Sequence, residues 1–263
     1  LELSDEQIIE IKKYADKKNI LFFSTVHDVE DVDFFEELGV CAYKVASVDL
    51  LHAPLIKYLS QKKKTVFVDT GAAYLDEIER SLNLFSNEGF EDVILMHNPI
   101  GYPAPSEKTD LRMISTLQKK FNVPVGLSCH TPGFDMVIAA IGVGANVIEK
   151  PITRNKNARG PEHIFSFLDT ETSEFIYKIK NTEVCLGDKV RENIDEMSHA
   201  RAKRRGVYAK IDLPKGHLIT SKDLIYCVPN KGISSENFET ALNKKLTKSY
   251  KMGEALQLED LYE

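Results

Sequence analysis

Apolar residues over the first two thirds of the chain follow two alternating rhythms. Short runs rich in β-branched and aromatic side chains fall at residues 20–24, 42–46, 65–68, 93–96, 123–127 and 146–149. The stretches between them carry apolar residues at helical intervals, so the pattern predicts strands alternating with amphipathic helices. The chain opens on Ser4-Asp5-Glu6-Gln7, which has capping-box spacing, followed by Ile8, Ile9, Ile11 and Ala15 along one helical stripe. Gly39, Gly89 and Gly144 stand just before the second, fourth and sixth strands, where a helix must end and the backbone turn left-handed.

A strand–helix unit of roughly 20 to 30 residues repeated in this way implies a parallel sheet buried on both faces. Six such units can be counted, whereas a closed barrel of this type needs eight. The choice lies between an open sheet and a barrel lacking its first two strands. The helix-first start favours the latter.

The rhythm changes after residue 168. Residues 169–202 are charged, with a helical pattern interrupted by Gly187, and are expected to form a helical linker. Residues 203–263 then place Pro and Gly every eight or so positions between short apolar runs at 205–211, 213–219 and 224–229, the pattern of a compact β-rich module. About 60 residues make only a thin core, so this module is expected to lean on another surface.

The chemistry concentrates at strand ends. Leu127-Ser128-Cys129-His130-Thr131 and Glu149-Lys150-Pro151-Ile152-Thr153 each follow an apolar strand with polar or ligand-capable residues, as a parallel α/β barrel does at the carboxyl-end face of its sheet. Lys44 closes another strand, and a lysine there would otherwise point unpaired into the barrel mouth. His130 reads as a ligand or acid–base group, or as a core histidine satisfied by a carbonyl, and His97 carries the same two readings. Cys129 is either a replacement ligand or a small buried residue. Because strand neighbours point to opposite faces, Cys129 and His130 cannot both enter one cavity without a distortion. Gly142 and Gly144 suit helix packing and a cap better than a phosphate loop. Pro103 and Pro105 stiffen the loop that bears Tyr102.

Of the 263 residues, 43% are hydrophobic and 28% charged, which suits a globular protein with a core. The net charge of −6 leaves no basic excess for nucleic acid, and Lys62-Lys63-Lys64 and Lys203-Arg204-Arg205 read as solvated surface. The widely spaced Cys41, Cys129, Cys185 and Cys227 suggest neither a zinc site nor a disulfide framework, and fit a reducing cytoplasm. No apolar run approaches the roughly 20 residues of a membrane span, and no secretory signal pattern opens the chain.

At these motifs the chain resembles the sialic acid (N-acetylneuraminate) synthase family. The resemblance rests on Phe22-Phe23-Ser24-Thr25, Tyr43-Lys44-Val45-Ala46-Ser47, Asp69-Thr70-Gly71, Met96-His97 with Tyr102-Pro103, Gly126-Leu127-Ser128 with His130-Thr131, Glu149-Lys150 with Thr153, and Gly160-Pro161-Glu162-His163, in order and spacing. Residues from Val207-Tyr208-Ala209 through Lys215-Gly216 resemble that family's antifreeze-like module, the SAF or β-clip fold.

The resemblance implies a (β/α)8 TIM barrel over residues 1–168, here without its first two strands, and a SAF module over 203–263. It implies that phosphoenolpyruvate condenses with the aldehyde of an N-acylated hexosamine as water attacks carbon 2 and phosphate leaves. Lys44 would grip phosphoenolpyruvate, Thr25, Ser47 and Ser128 would supply hydroxyls, and Thr70 and Gly71 would lend backbone amides. Tyr102 and Glu162 would hold the sugar. His130 would ligate a divalent metal, manganese or magnesium, and Asp49, with Lys44 and His130, would belong to the catalytic group. His163 would bind sugar or cap the last helix. The partners implied are phosphoenolpyruvate, an amino sugar and a second copy exchanging its SAF module across a homodimer.

Departures from the family pattern qualify the site. Pro151 stands where the family has its second metal-binding histidine, Cys129 where an aspartate precedes the first, Asp49 where a glutamate closes the Lys44 motif, and Val228 where an arginine reaches the sugar. Asp69 replaces a serine of the phosphate cradle, and its charge would repel a phosphate unless protonated or turned away. The absent strands would supply a further lysine and glutamate. The metal is therefore expected to bind weakly or only with substrate. Besides an active synthase, two readings follow: another phosphoenolpyruvate- or carbonyl-condensing enzyme with a different acceptor, and a non-catalytic carbohydrate-binding paralogue.

Overall fold

The structure, a computed structural model, describes residues 3–187 and 203–263. It divides into two compact units, residues 1–187 and 188–263.

In the first unit, helix α1 (Asp5–Lys17) begins on the capping box: Gln7 N donates to Ser4 Oγ and Ser4 N to Gln7 Oε1. Then β1 (Ser24–Thr25), α2 (Val29–Glu37), β2 (Ala42–Val45), α3 (Ala53–Lys62), β3 (Thr65–Asp69), α4 (Leu75–Asn87), β4 (Val93–His97), α5 (Arg112–Phe121), β5 (Val125–Ser128), α6 (Asp135–Gly142) and β6 (Ile148–Glu149) alternate along the chain. The six strands form one parallel sheet in sequential order. Two expected strands are shorter than their apolar runs, because only Ser24 and Thr25 find partners on β2, and only Ile148 and Glu149 on β5.

The pleat sorts the side chains. Tyr43, Val45, Val66, Val68, Leu95, Val125 and Leu127 join helix residues such as Phe35, Leu59, Phe85 and Leu117 in one buried core. The alternate positions, including Lys44, Phe67, Asp69, Met96 and Ser128, therefore occupy the other face. That face is concave. Lys44 on β2 and Glu149 on β6 are four strands apart, about 19 Å in a flat sheet, yet Lys44 Nζ lies 2.6 Å from Glu149 Oε2. Gly126 permits the tight inner packing: a Cβ there would sit 2.6 Å from Met96 Sδ and 2.7 Å from Val147 O.

The described residues thus build a curled half-barrel of six parallel strands; the eight-stranded barrel that the resemblance implies, here without its first two strands, is only partly closed. Past β6, strands β7 (Ile152–Thr153) and β8 (Phe167–Leu168) pair in parallel as a separate sheet. Helix α7 (Thr172–Leu186) occupies the first part of the expected linker. Residues 188–202 of that linker lie outside the described residues.

The second unit is antiparallel. β9 (Gly206–Ala209) pairs with β10 (Leu224–Cys227), and β11 (Lys245–Leu246) with β12 (Leu261–Tyr262). The run at 213–219 makes only single bridges, from Leu213 to Tyr250 and Leu218 to Lys245. Val207, Leu213, Ile219, Leu246 and Leu256 belong to a buried core of this unit's own. No helix among the described residues is long and apolar enough to cross a membrane.

Candidate functional site

Lys44 sits near the carboxyl end of β2, on the concave face, and it is not free. Its Nζ is 2.6 Å from both Glu149 carboxylate oxygens and 2.9 Å from Asp69 Oδ2. Burial pulls the ammonium down, but the Asp69 and Glu149 carboxylates outweigh that pull and hold it above the ordinary lysine value. Burial pushes the Asp69 carboxyl up to about 6, against the opposing pull of Lys44 and with Glu149 adding to the rise. Asn98, from the loop after β4, donates Nδ2–H to Asp69 Oδ2 at 3.2 Å. Nothing in the motifs points to Asn98, or to Asp69 and Glu149 as partners of Lys44. The pairing with Glu149, four strands away, depends on the curl of the sheet, which residue spacing does not reveal.

A cavity of about 520 Å³ opens beside this cluster, lined by Ser24, Thr25, Lys44 and Glu149 and floored by Phe23, Phe67 and Met96. The Phe23 and Phe67 rings stack at 5.0 Å. Among the expected hydroxyl donors, Thr25 is at this cavity. Ser47 Oγ accepts the Gly71 amide at 3.0 Å and keeps its own O–H. Ser128 Oγ, next to Glu149 by register, is buried without a partner.

Two groups of expected site residues are engaged within the fold. Thr70 N donates to Met96 O at 3.0 Å and Gly71 N to Ser47 Oγ, so both amides are already bonded. The Thr70 hydroxyl also donates to Met96 O, at 3.0 Å. Asp49 is not gathered with Lys44: its carboxylate binds His27 Nδ1 at 2.8 Å, with His52 4.0 Å away, tying the loop after β1 to the turn after β2.

His130 lies two residues beyond β5, flanked by Tyr102 at 4.6 Å and Phe165 at 5.6 Å between ring centroids. Burial holds its imidazole below the ordinary histidine value, against the pull of Glu162 and Glu149, and Nδ1 is buried without a partner. The Ala104 amide donates to His130 O at 3.0 Å, which fixes the Tyr102 loop over this imidazole. The exposed Glu162 is near enough to act electrostatically on both Tyr102 and His130.

The other histidines and Cys129 are engaged elsewhere. His97 Nε2 meets Thr109 O at 2.7 Å, and His163 Nδ1 meets Thr153 Oγ1 at 2.7 Å. Cys129 packs into the helix-side core. The adjacent Lys150, lowered by burial, donates to the carbonyls of Thr131 and Phe165 and so ties the loop after β5 to the segment before β8.

The donor set does not fit a resident divalent metal. Among the described residues no three His, Cys, Asp or Glu side chains converge on a point that could hold an ion. His130 has no second imidazole because the strand-end position after Lys150 is Pro151, and a single imidazole is a weak site.

Comparison with known proteins fits this geometry. The NeuB family matches residues 1–191. The chain is 34% identical to N,N'-diacetyllegionaminic acid synthase of Campylobacter jejuni over 98% of its own length and 78% of that protein. It is 30% identical to pseudaminic acid synthase of the same organism over 95% of its length and 73% of that protein. The fold matches the crystal structure of spore coat polysaccharide biosynthesis protein E from Chromobacterium violaceum with a TM-score of 0.76 at 21% identity, covering 100% of this chain and 80% of that one.

Proposed function

The chain belongs to the NeuB family, and from that premise we propose that it condenses phosphoenolpyruvate with the open-chain aldehyde of an N-acylated amino sugar to make a nonulosonic acid. Carbon 3 of phosphoenolpyruvate bonds to the aldehyde carbon, and the aldehyde oxygen takes a proton. Water supplies an oxygen to carbon 2, and inorganic phosphate leaves with the bridging oxygen.

One observation carries the reading: Ser128 Oγ, His130 Nδ1 and Asp69 Oδ1 are buried without partners at the strand ends of the sheet that holds Lys44. Buried polar atoms are nearly always paired, so three at these strand ends support a polar ligand completing the bonding. Lys44 would attract the anionic substrate, with Thr25, Ser47 and Ser128 as hydroxyl partners. His130, held neutral by burial, would exchange a proton with the acceptor, and Tyr102 and Glu162 would border the sugar. Manganese or magnesium would bind weakly and only with substrate oxygens and water completing its shell. Residues 203–263 would act as the antifreeze-like module, exchanged within a cytoplasmic homodimer.

Phosphate release measured with phosphoenolpyruvate and a panel of N-acylated hexosamines tests the proposal. Release with at least one such sugar is expected. Release only with other aldehydes would indicate a different condensing enzyme. The two carboxylates on Lys44 and the lack of a fitting metal donor set favour, as a second reading, a carbohydrate-binding paralogue. That reading requires sugar binding with no phosphate release from any acceptor.

A further inference from the structure

Among the described residues, two carboxylates converge on Lys44. Asp69 and Glu149 leave the cluster with Lys44 one negative charge in excess when both are ionised. A phosphate or carboxylate approaching Lys44 meets that excess, and like charges at such range oppose binding strongly in a buried setting.

The two carboxylates are not equivalent. The Glu149 side chain is 43% exposed, so water screens it, while that of Asp69 is 7% exposed. Asp69 Oδ2 accepts from Lys44 and Asn98, whereas Oδ1 is buried and bonded to nothing. A proton placed on Oδ1 would cancel the excess charge and convert an orphaned acceptor into a donor, without disturbing either bond at Oδ2.

We infer that Asp69 is the proton gate of the Lys44 anion site: binding of phosphoenolpyruvate takes up one proton on Asp69 Oδ1, and the neutral carboxyl then donates a hydrogen bond to the bound anion. This rests on the reading of the Lys44 cluster as the phosphoenolpyruvate site. The groups facing Asp69 are consistent with it. Lys44 reaches it from β2 and Glu149 from β6, while its register neighbour Met96 on β4, and Gly126 beside that on β5, carry no charge. From the loop after β4, Asn98 is uncharged, and the Tyr102 hydroxyl is raised by burial and by Glu162. The free protein already holds the Asp69 carboxyl at about 6 through burial, so an incoming anion moves a group that is poised to protonate.

The test is calorimetry of phosphoenolpyruvate binding to the full chain, in buffers of different ionisation heat, from about pH 5.5 to about pH 8.5. The ligand's phosphate titrates in the same range, so the quantity read is the difference between wild type and Asp69→Asn. The wild type should take up about one proton more than Asp69→Asn near neutral pH, with affinity falling up to about tenfold more steeply per pH unit. Asp69→Asn should bind more tightly than wild type at the alkaline end. Equal uptake in wild type and Asp69→Asn, with phosphoenolpyruvate bound to both, overturns the gate and leaves the proposed function intact. No binding at any pH removes both the gate and the proposed function.

Discussion

The two units of the chain treat their buried polar groups differently. In the second unit the buried Asp223 is engaged through one oxygen: Oδ2 accepts from Thr220 N and Thr220 Oγ1, each at 2.8 Å, and meets His217 Nε2 at 3.1 Å. In the first unit Asp69, Ser128 and His130 each keep a buried atom unpaired. All four such atoms among the described residues lie in the first unit, and the fourth, Ser81 Oγ, is on helix α4, away from the strand ends. A buried polar group without a partner costs about 1 to 3 kcal/mol. Under the proposed function a bound ligand repays that cost, and the contrast sets the first unit apart from the second.

The strongest way to break this comparison is to remove the cation. Lys44→Ala strips the partner from two carboxylates and the attraction from the ligand. Phosphoenolpyruvate affinity is expected to fall by about 2 to 4 kcal/mol, as for loss of a charge-assisted contact. Calorimetry showing unchanged affinity would place the anion elsewhere.

A second effect appears in the free protein. The Asp69 carboxyl stands at about 6 in the fold against an ordinary 3.8. Between these values the native state holds more protons than the unfolded chain, so stability falls as pH rises from about 4 to about 6 and is constant on either side. The loss assigned to this group is about 3 kcal/mol at most. Asp69→Asn should remove that downward slope in denaturant melts of the first unit. An unchanged slope would show that Asp69 ionises like an exposed carboxylate.

A third prediction exploits the satisfied unit. Asp223→Ala breaks a buried cap and is expected to cost about 1 to 2 kcal/mol in the second unit. Phosphoenolpyruvate affinity should stay unchanged, since the proposed anion cluster belongs wholly to the first unit. A parallel loss of affinity would tie the second unit to the anion.

The strand order was legible because each inner-sheet strand carries an apolar face to the helices and either follows a turn glycine or ends in a polar residue. Gly39, Gly89 and Gly144 indeed have φ of 70°, 67° and 106°. The parallel pair β7 and β8 was invisible for the opposite reason: two-residue strands have no period, and Ile152 finds Phe167 only through tertiary folding. Lys44, Ser128 and His130 stood out as polar residues at the ends of apolar runs. What the Lys44 ammonium touches was hidden, because Glu149 lies 105 positions away and meets it only once the sheet curls. The commitment of the Thr70 and Gly71 amides was likewise hidden, since it depends on which neighbouring strand each loop reaches.

Ser128 gives the smallest and most discriminating effect. Its hydroxyl is buried without a partner, so Ser128→Ala in the free protein deletes no hydrogen bond and removes a desolvated polar group. Stability is therefore expected to hold within about 0.5 kcal/mol of wild type or to rise slightly, unlike the ordinary loss on removing a bonded buried hydroxyl. If the hydroxyl completes its bonding on the substrate, phosphoenolpyruvate affinity should fall by about 1 kcal/mol in the same variant. Opposite signs in thermal denaturation and ligand titration would mark Ser128 as a binding residue whose cost is borne by the fold. A loss of stability with unchanged affinity would instead show that its hydroxyl has an internal partner, and would weaken the contrast between the two units at its most local point.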